Sequence, residues 1–448
     1  MRDLAGTCLI AVFVTLVAGM YGLTQPDVGL AQGLIIAPLE LGLLVILVRM
    51  SPGGSQPIAW LVATAALLRI AAAVVFQYLP EVERIFALDA AVYDAGGQEW
   101  ANHWKGYSDS VASRFAMPYY RLVGVHYFIL GHAVVVPKIT NAILGAATVF
   151  YTYRIGIFLA GEEAGWRAAR LVTFFPSLIL WSAMGIRDAL AILAIVAVVW
   201  HTISLKLRFT LPSAVMLLAA LMMIGTLREY MFPLMGCAVV LGIFLTDLRS
   251  APRNLIAVAI LACLLLLIYR QTSIGEKFVS QASLADIQRM RDGGAIGART
   301  AYMTDVDIST PQGALLFLPL GIAYFLFSPF PWQIGGIRHL LPLPEMLYWY
   351  SLIPVIFFAM RRLLKDNFQV AIVVLVSTIV LTVSYGLGSS NVGTAYRHRG
   401  QVMPLLLAVA AAGLTLQENE RRRLRQSQER APQFGGTFPG TADALGGS

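Results

Sequence analysis

Four short stretches of this chain carry side chains able to act on a ligand. The first, "RIFALDAAVYDAGGQEW", holds Asp89, Tyr93 and Asp94. On a helix Asp89 and Tyr93 stand at i and i+4 and share a face with Gly96 or Gly97 one turn further. A carboxylate there can take the proton of an attacking hydroxyl, and the glycines allow another backbone to come close. Asp89 equally suits the cap of a helix opening with "AAVY". The second stretch is the Arg187–Asp188 pair after "FFPSLILWSAMG", the third Arg228–Glu229 between two apolar runs, and the fourth "YRHRG", with Tyr396, Arg397, His398 and Arg399. Guanidinium forks grip phosphate oxygens in pairs. A carboxylate base beside several such forks is what a lipid phosphate would need. The two adjacent acid–base pairs also read as helix-boundary pairs, and both readings stay open.

These residues are set in a chain of 448 residues that is 58% hydrophobic and 13% charged. Soluble domains carry about 25% charged residues. A chain this apolar has lipid as its solvent over much of its surface, and continuous apolar runs favour helices over a barrel. The expected fold is all-α: a polytopic transmembrane bundle of about 11–13 spans. The runs lie near 4–23, 30–49, 57–79, 137–158, 166–184, 188–205, 210–227, 231–246, 253–269, 313–330, 345–360, 367–386 and 401–416. The first is read as an uncleaved helix rather than a signal peptide, since it has the length of a span. No internal repeat is visible. Cys8, Cys237 and Cys263 all lie within apolar runs and supply neither a disulfide framework nor a zinc site. The net charge of +8 reads as membrane topology, not nucleic-acid binding, because the cations sit between spans and no nucleic-acid module is present.

Those cations set the orientation. Arg49, Arg154, Arg167, Arg170, Lys206, Arg208, Arg249, Arg253, Arg361, Arg362, Lys365 and the tail "RRRLRQSQER" fall on one side, which the positive-inside rule makes cytoplasmic, with both termini. The four reactive stretches then share the opposite, extracytoplasmic face of a plasma membrane. Residues 80–136 form a large outer loop, with an interfacial helix expected over "MPYYRLVGVHYFILGH". Residues 270–312 form a second. Residues 1–416 constitute one membrane domain, and 417–448 read as a disordered tail. The segment 313–330 breaks the up–down parity, so it either re-enters or lies in the interface. Glu40, inside a span, is either functional or sits beside a kink at Pro38.

The order "DAAVY", "PYYRLVG", "KITNAILGAATVFYTYRIG", "ARLVTFFPSLILWSAMGIRDAL" and "YRHRGQVMPLLLAVAAAGL" resembles the GT-C class of membrane glycosyltransferases. Its nearest groups are the bacterial protein-mannosyltransferase-like and lipopolysaccharide sugar-transferase enzymes. The resemblance covers residues 80–205 well and the rest loosely. It implies a polyprenyl-phosphate-linked sugar donor and a lipid, glycan or protein acceptor. Asp89 would be the general base, while Arg187, Asp188, Arg397 and Arg399 would line the donor phosphate and acceptor. Some members of the class use a divalent ion; this sequence shows no clear ligand set for one. Where the class often has two adjacent acids, Asp89 is followed by Ala90. Three expected spans precede the acidic loop, against one in the closest relatives, and "PYY" lacks a doubled proline.

Two rival readings fit the same composition. A polysaccharide polymerase or ligase would use outer-loop arginines such as Arg289, Arg291 and Arg299. A lipid or solute transporter would need polar groups near the bilayer midplane, where Glu40 is almost alone. A non-enzymatic scaffold leaves the gathered charges without a purpose.

Overall fold

The computed structural model describes residues 29–113, 117–245, 283–333 and 342–430. They form seventeen α-helices and, among the described residues, no strand beyond an isolated bridge between Ala301 and Asn391. Five lead: α1 (Leu30–Met50) and α2 (Gln56–Gln77), then the short α3 (Pro80–Phe86), α4 (Ala90–Trp104) and α5 (Pro118–Leu130). Next come α6 (Val135–Ala160), α7 (Glu162–Phe174), α8 (Pro176–Ser182), α9 (Asp188–Leu207), α10 (Leu211–Leu227) and α11 (Met231–Phe244). The last six are α12 (Leu284–Ala295), α13 (Pro311–Phe327), α14 (Leu343–Asp366), α15 (Phe368–Gly388), α16 (Val392–Arg399) and α17 (Met403–Arg430).

Six of these, α1, α2, α6, α9, α14 and α15, are long and apolar enough to cross a membrane; α16 and α17, bent 59° apart, make a seventh if taken as one span. The chain is a multi-pass membrane protein. The shorter apolar helices α10, α11 and α13 fill in between. The runs expected at 4–23 and 253–269 lie outside the described residues.

The expected span 166–184 is broken instead into α7 and α8, and the reason is local. Pro176 has no N–H for the carbonyl of Val172. Ser177 turns its N–H away to Glu345 Oε2 at 2.6 Å, so the carbonyl of Thr173 is also freed. The fully buried Arg69 takes both, donating to Val172 O at 2.9 Å and Thr173 O at 3.2 Å. Two costly intramembrane charges, Arg69 and Glu345, thus satisfy a helix break.

The bundle has an upper end, where α3–α5 lie, and a lower one. Lys138, in the first turn of α6, bonds Gln77 at the last residue of α2, both at the upper end. At the lower end Arg154 lies against Gly53, Asn367 bonds the carbonyls of Phe158 and Leu159, and Arg167 pairs with Glu418. The tail does not become irregular at residue 417: α17 continues to Arg430. The run "ENERRRLRQ" is made of good helix formers, and Glu418 pairs with Arg422 at i,i+4. Residues 431–448 lie outside the described residues.

The parity conflict at 313–330 resolves at α13. Tyr302, nine residues before the helix, stacks on Tyr324 near its end, with ring centres 4.2 Å apart. Tyr302 N–H bonds Ser390 O, Phe317 lies under Arg291, and Arg291 donates to Ser389 O. At the far end Arg399 donates to Leu326 O and Ser328 O. Tyr302 and Tyr324 therefore meet, so the segment between them begins and ends at the same place, and Arg399 holds the C-terminal end of α13.

Candidate functional site

Two charged assemblies flank the start of α4. The first is an ion chain. Asp89 occupies the position before α4, yet its side chain makes no capping bond. It accepts instead from Arg397 Nη1 at 2.8 Å. The same guanidinium donates to Asp188 Oδ2 through Nε at 2.9 Å and Nη2 at 2.6 Å. The other oxygen of Asp188 accepts from Arg228 Nη2 at 3.2 Å and Gln401 Nε2 at 3.3 Å. Gln401 is held in turn by the Tyr385 hydroxyl, and Arg228 donates to Tyr230. One guanidinium therefore joins residues 89, 188 and 397, from three separate parts of the chain. Burial grades the chain: the Asp188 side chain is 0% exposed, Arg397 14% and Asp89 50%.

The sequence expectations divide accordingly. Asp89, Asp188, Arg228 and Arg397 do meet at one end of the bundle. Asp188 and Arg228 are buried too deeply to touch a ligand; they hold Arg397 in place. Arg187 is half-buried, and its Nη1 donates to Leu227 O at 2.5 Å and Met117 Sδ at 2.8 Å, neither of them charged. His398 packs on the Tyr385 ring at 4.7 Å, and Glu229 is half-buried beside Arg228.

Arg399 and Tyr396 are corrections. Arg399, 1% exposed, spends its donors on backbone carbonyls and Met346 Sδ, and Tyr396 gives its hydroxyl to Glu345 at 3.3 Å beside Trp181. They point inward because α16 is a helix: its residues 396 and 399 share the buried face, and only Arg397 turns toward Asp89.

The second assembly is a cavity of about 370 Å3 between α3, α4, α5 and the start of α6. Asp94, Glu83, Arg84, Lys138, Tyr93 and Tyr127 supply its polar wall. Asp89 is not part of that wall, although its neighbours Leu88 and Ala90 are. Asp94 Oδ1 accepts from the Tyr127 hydroxyl at 2.6 Å and lies 2.9 Å from His132 Nε2. Burial, and next the Asp94 charge, push the Tyr127 phenol well above its ordinary value, so it remains a donor. Lys138, 2% exposed, pairs with Glu83 Oε1 at 2.7 Å and Gln77 at 2.7 Å. Tyr93 is buried with its ring 5.0 Å from Tyr119 and 5.3 Å from Tyr120, and burial raises its phenol also.

Close helix contact shapes this cavity. A Cβ on Gly97 would sit 2.3 Å from Val123 Cγ1, and one on Gly124 would sit 3.2 Å from Gly97 O. The glycine pair lets α4 and α5 touch, which brings Asp94 to Tyr127. Glu83, Lys138, Tyr127 and His132 were missed as site residues in the sequence. Lys138 carried a usable signal: it is a cation at the end of a span opposite the other basic residues, the same exception to the positive-inside rule that singles out "YRHR".

Among the described residues no group of three or more His, Cys, Asp and Glu side chains gathers as a metal site. The space between the carboxylates of Asp89 and Asp188, where a divalent ion would bridge, is filled by the Arg397 guanidinium. The residues present do not fit a bridging metal there. Arg291, the buried arginine of the second loop, is occupied by the carbonyls of Ser389, Tyr302 and Met303, and Arg289 by Asp286. No protein-family model matches the chain, and no curated protein matches it.

Proposed function

We propose that this chain is a membrane glycosyltransferase that moves a sugar from a polyprenyl-phosphate donor to a lipid, glycan or protein acceptor at its upper, extracytoplasmic end. The observation that supports this reading best is the Asp89–Arg397 contact. A half-exposed carboxylate is held at 2.8 Å by a guanidinium that a buried acid fixes from behind. Basic side chains at Arg49, Arg154, Arg361 and Arg362, next to the lower ends of their helices, support reading that end as the cytoplasmic one of a plasma membrane.

The chemistry follows from which groups remain free to act. The acceptor hydroxyl gives its proton to Asp89 as its oxygen bonds the anomeric carbon. The bond from that carbon to the phosphate oxygen breaks, and its electron pair leaves with the lipid phosphate. Attack and departure occur on opposite faces, so the anomeric configuration inverts, and no enzyme-bound sugar forms. Arg187, whose partners are neutral, and the outer edge of Arg397 meet the charge that grows on the phosphate. Preorganised donors of this kind act where charge develops and need no reorganisation.

The test uses the chain in nanodiscs with a polyprenyl-phosphate hexose as donor. A positioned general base contributes about 10²–10⁴-fold to rate. Asp89→Asn, nearly the same size, should lower kcat by that factor while leaving donor binding intact. An unchanged kcat in Asp89→Asn refutes the assignment.

A further inference from the structure

The 370 Å3 cavity stands beside the ion chain rather than within it, and its wall is unlike that chain. Its volume lies at the low end of ligand pockets, which run from about 300 to 1,000 Å3, and suits one small ring rather than an extended chain. Apolar surfaces from Ala87, Ala90, Ala91, Val123 and Pro137 make up much of it. Against them stand a few polar atoms with fixed aims. Asp94 has Oδ1 occupied by Tyr127 and His132, and Oδ2 is left to accept. Lys138 has two of its three N–H groups used by Glu83 and Gln77. The third can donate. The cavity therefore offers acceptors and a donor in one wall with apolar surface.

A hydroxyl is both donor and acceptor, and a sugar ring presents several hydroxyls around a C–H face. An anion would be repelled by Asp94, and the two cations of the wall already have acid partners, Lys138 with Glu83 and Arg84 with Glu81. We propose that this cavity is a subsite for one neutral, hydroxyl-rich ring of monosaccharide size, with Asp94 as the residue that fixes its orientation. Its place as the acceptor's subsite rests on the transfer reading; its ability to bind such a ring does not. Gly185 lines the same wall, where a Cβ would make ordinary contacts without a clash, at 3.7 Å from Lys138 Cε and 3.8 Å from Ala90 Cβ.

The experiment is saturation-transfer NMR on the full chain in nanodiscs with methyl hexopyranosides, and the matching methyl uronoside as the anionic probe. The hexoside is expected to receive signal and the uronoside none. Ala91→Trp, at an exposed wall position, and Gly185→Leu should both abolish it by filling the cavity. Asp94→Asn should weaken binding at least about tenfold, the scale of one hydrogen bond to a charged group. Melting curves of the two filling variants establish that each is folded. Equal signal from the uronoside, or hexoside signal that survives both filling variants, overturns the proposal. Hexosyl transfer without any cavity-dependent signal sinks the subsite alone. Cavity-dependent signal without transfer from a polyprenyl-phosphate hexose sinks the transfer reading alone.

Discussion

Asp188 and Asp89 share one guanidinium, yet replacing each should damage different properties. Asp188 is wholly buried and is the acid between Arg397 and Arg228. Asp188→Asn keeps the shape and removes the charge, taking from the buried Arg228 the acid it pairs with and leaving Arg397 with Asp89 alone. Breaking a buried pair from one side costs about 3–5 kcal/mol. At about 1.4 kcal/mol per tenfold, the folded-to-unfolded ratio should fall by roughly two to three and a half orders of magnitude. Asp89 is half exposed, and an exposed pair contributes about 0–1 kcal/mol. Asp89→Asn should therefore leave stability nearly intact while lowering kcat by the factor of about 10²–10⁴ that a general base contributes. The assay is reversible unfolding of the reconstituted chain in mixed micelles, run beside sugar transfer for both variants. Should Asp188→Asn match the parent in stability, or Asp89→Asn lose as much as Asp188→Asn, the assignment of scaffold to one acid and chemistry to the other is refuted.

Two further outcomes follow from contacts elsewhere. Gly97→Val should drive α4 from α5, because even its Cβ meets Val123 Cγ1 at 2.3 Å; overpacking of this kind costs about 1–3 kcal/mol, read as a lower melting temperature and loss of hexoside binding. His126, near Thr140 Oγ1 at 3.1 Å and Glu40 at 4.0 Å, is held below its ordinary value of 6.5, chiefly by burial. The unfolded chain then binds that proton more readily than the folded one. Its contribution to stability is complete above about pH 6.5 and is lost as pH falls toward the folded value. Melting temperatures taken from pH 7.5 down to 5 should fall less steeply in His126→Gln than in the parent; equal slopes would remove His126 from the account.

Much of the helical scaffold was legible. The apolar runs behind α2, α6, α9 and α15 match their helices closely, because a span needs length and apolarity and both are written locally. The gathering of Asp89, Asp188, Arg228 and Arg397 at one end also followed from counting helix ends. The partners within that cluster did not. Residues 89 and 397 lie 308 positions apart, and no periodicity in one sequence states which helix ends touch. For the same reason Arg399 looked equivalent to Arg397 until α16 turned one inward. The break at Pro176 needed the acid and the arginine from α14 and α2 to make it tolerable, so the run looked like one span. The cavity was least visible, since it depends on how closely α4 and α5 meet at Gly97 and Gly124.

The placement of α13 has a consequence for how the chain can change. Residues 302 and 324 meet, so this excursion ends on the side where it started. It adds nothing to the alternation that gives every later helix its direction. Lengthening, trimming or replacing the excursion would leave α14, α15 and α17 pointing as they do. The excursion can vary in length while the helices after it keep their heading.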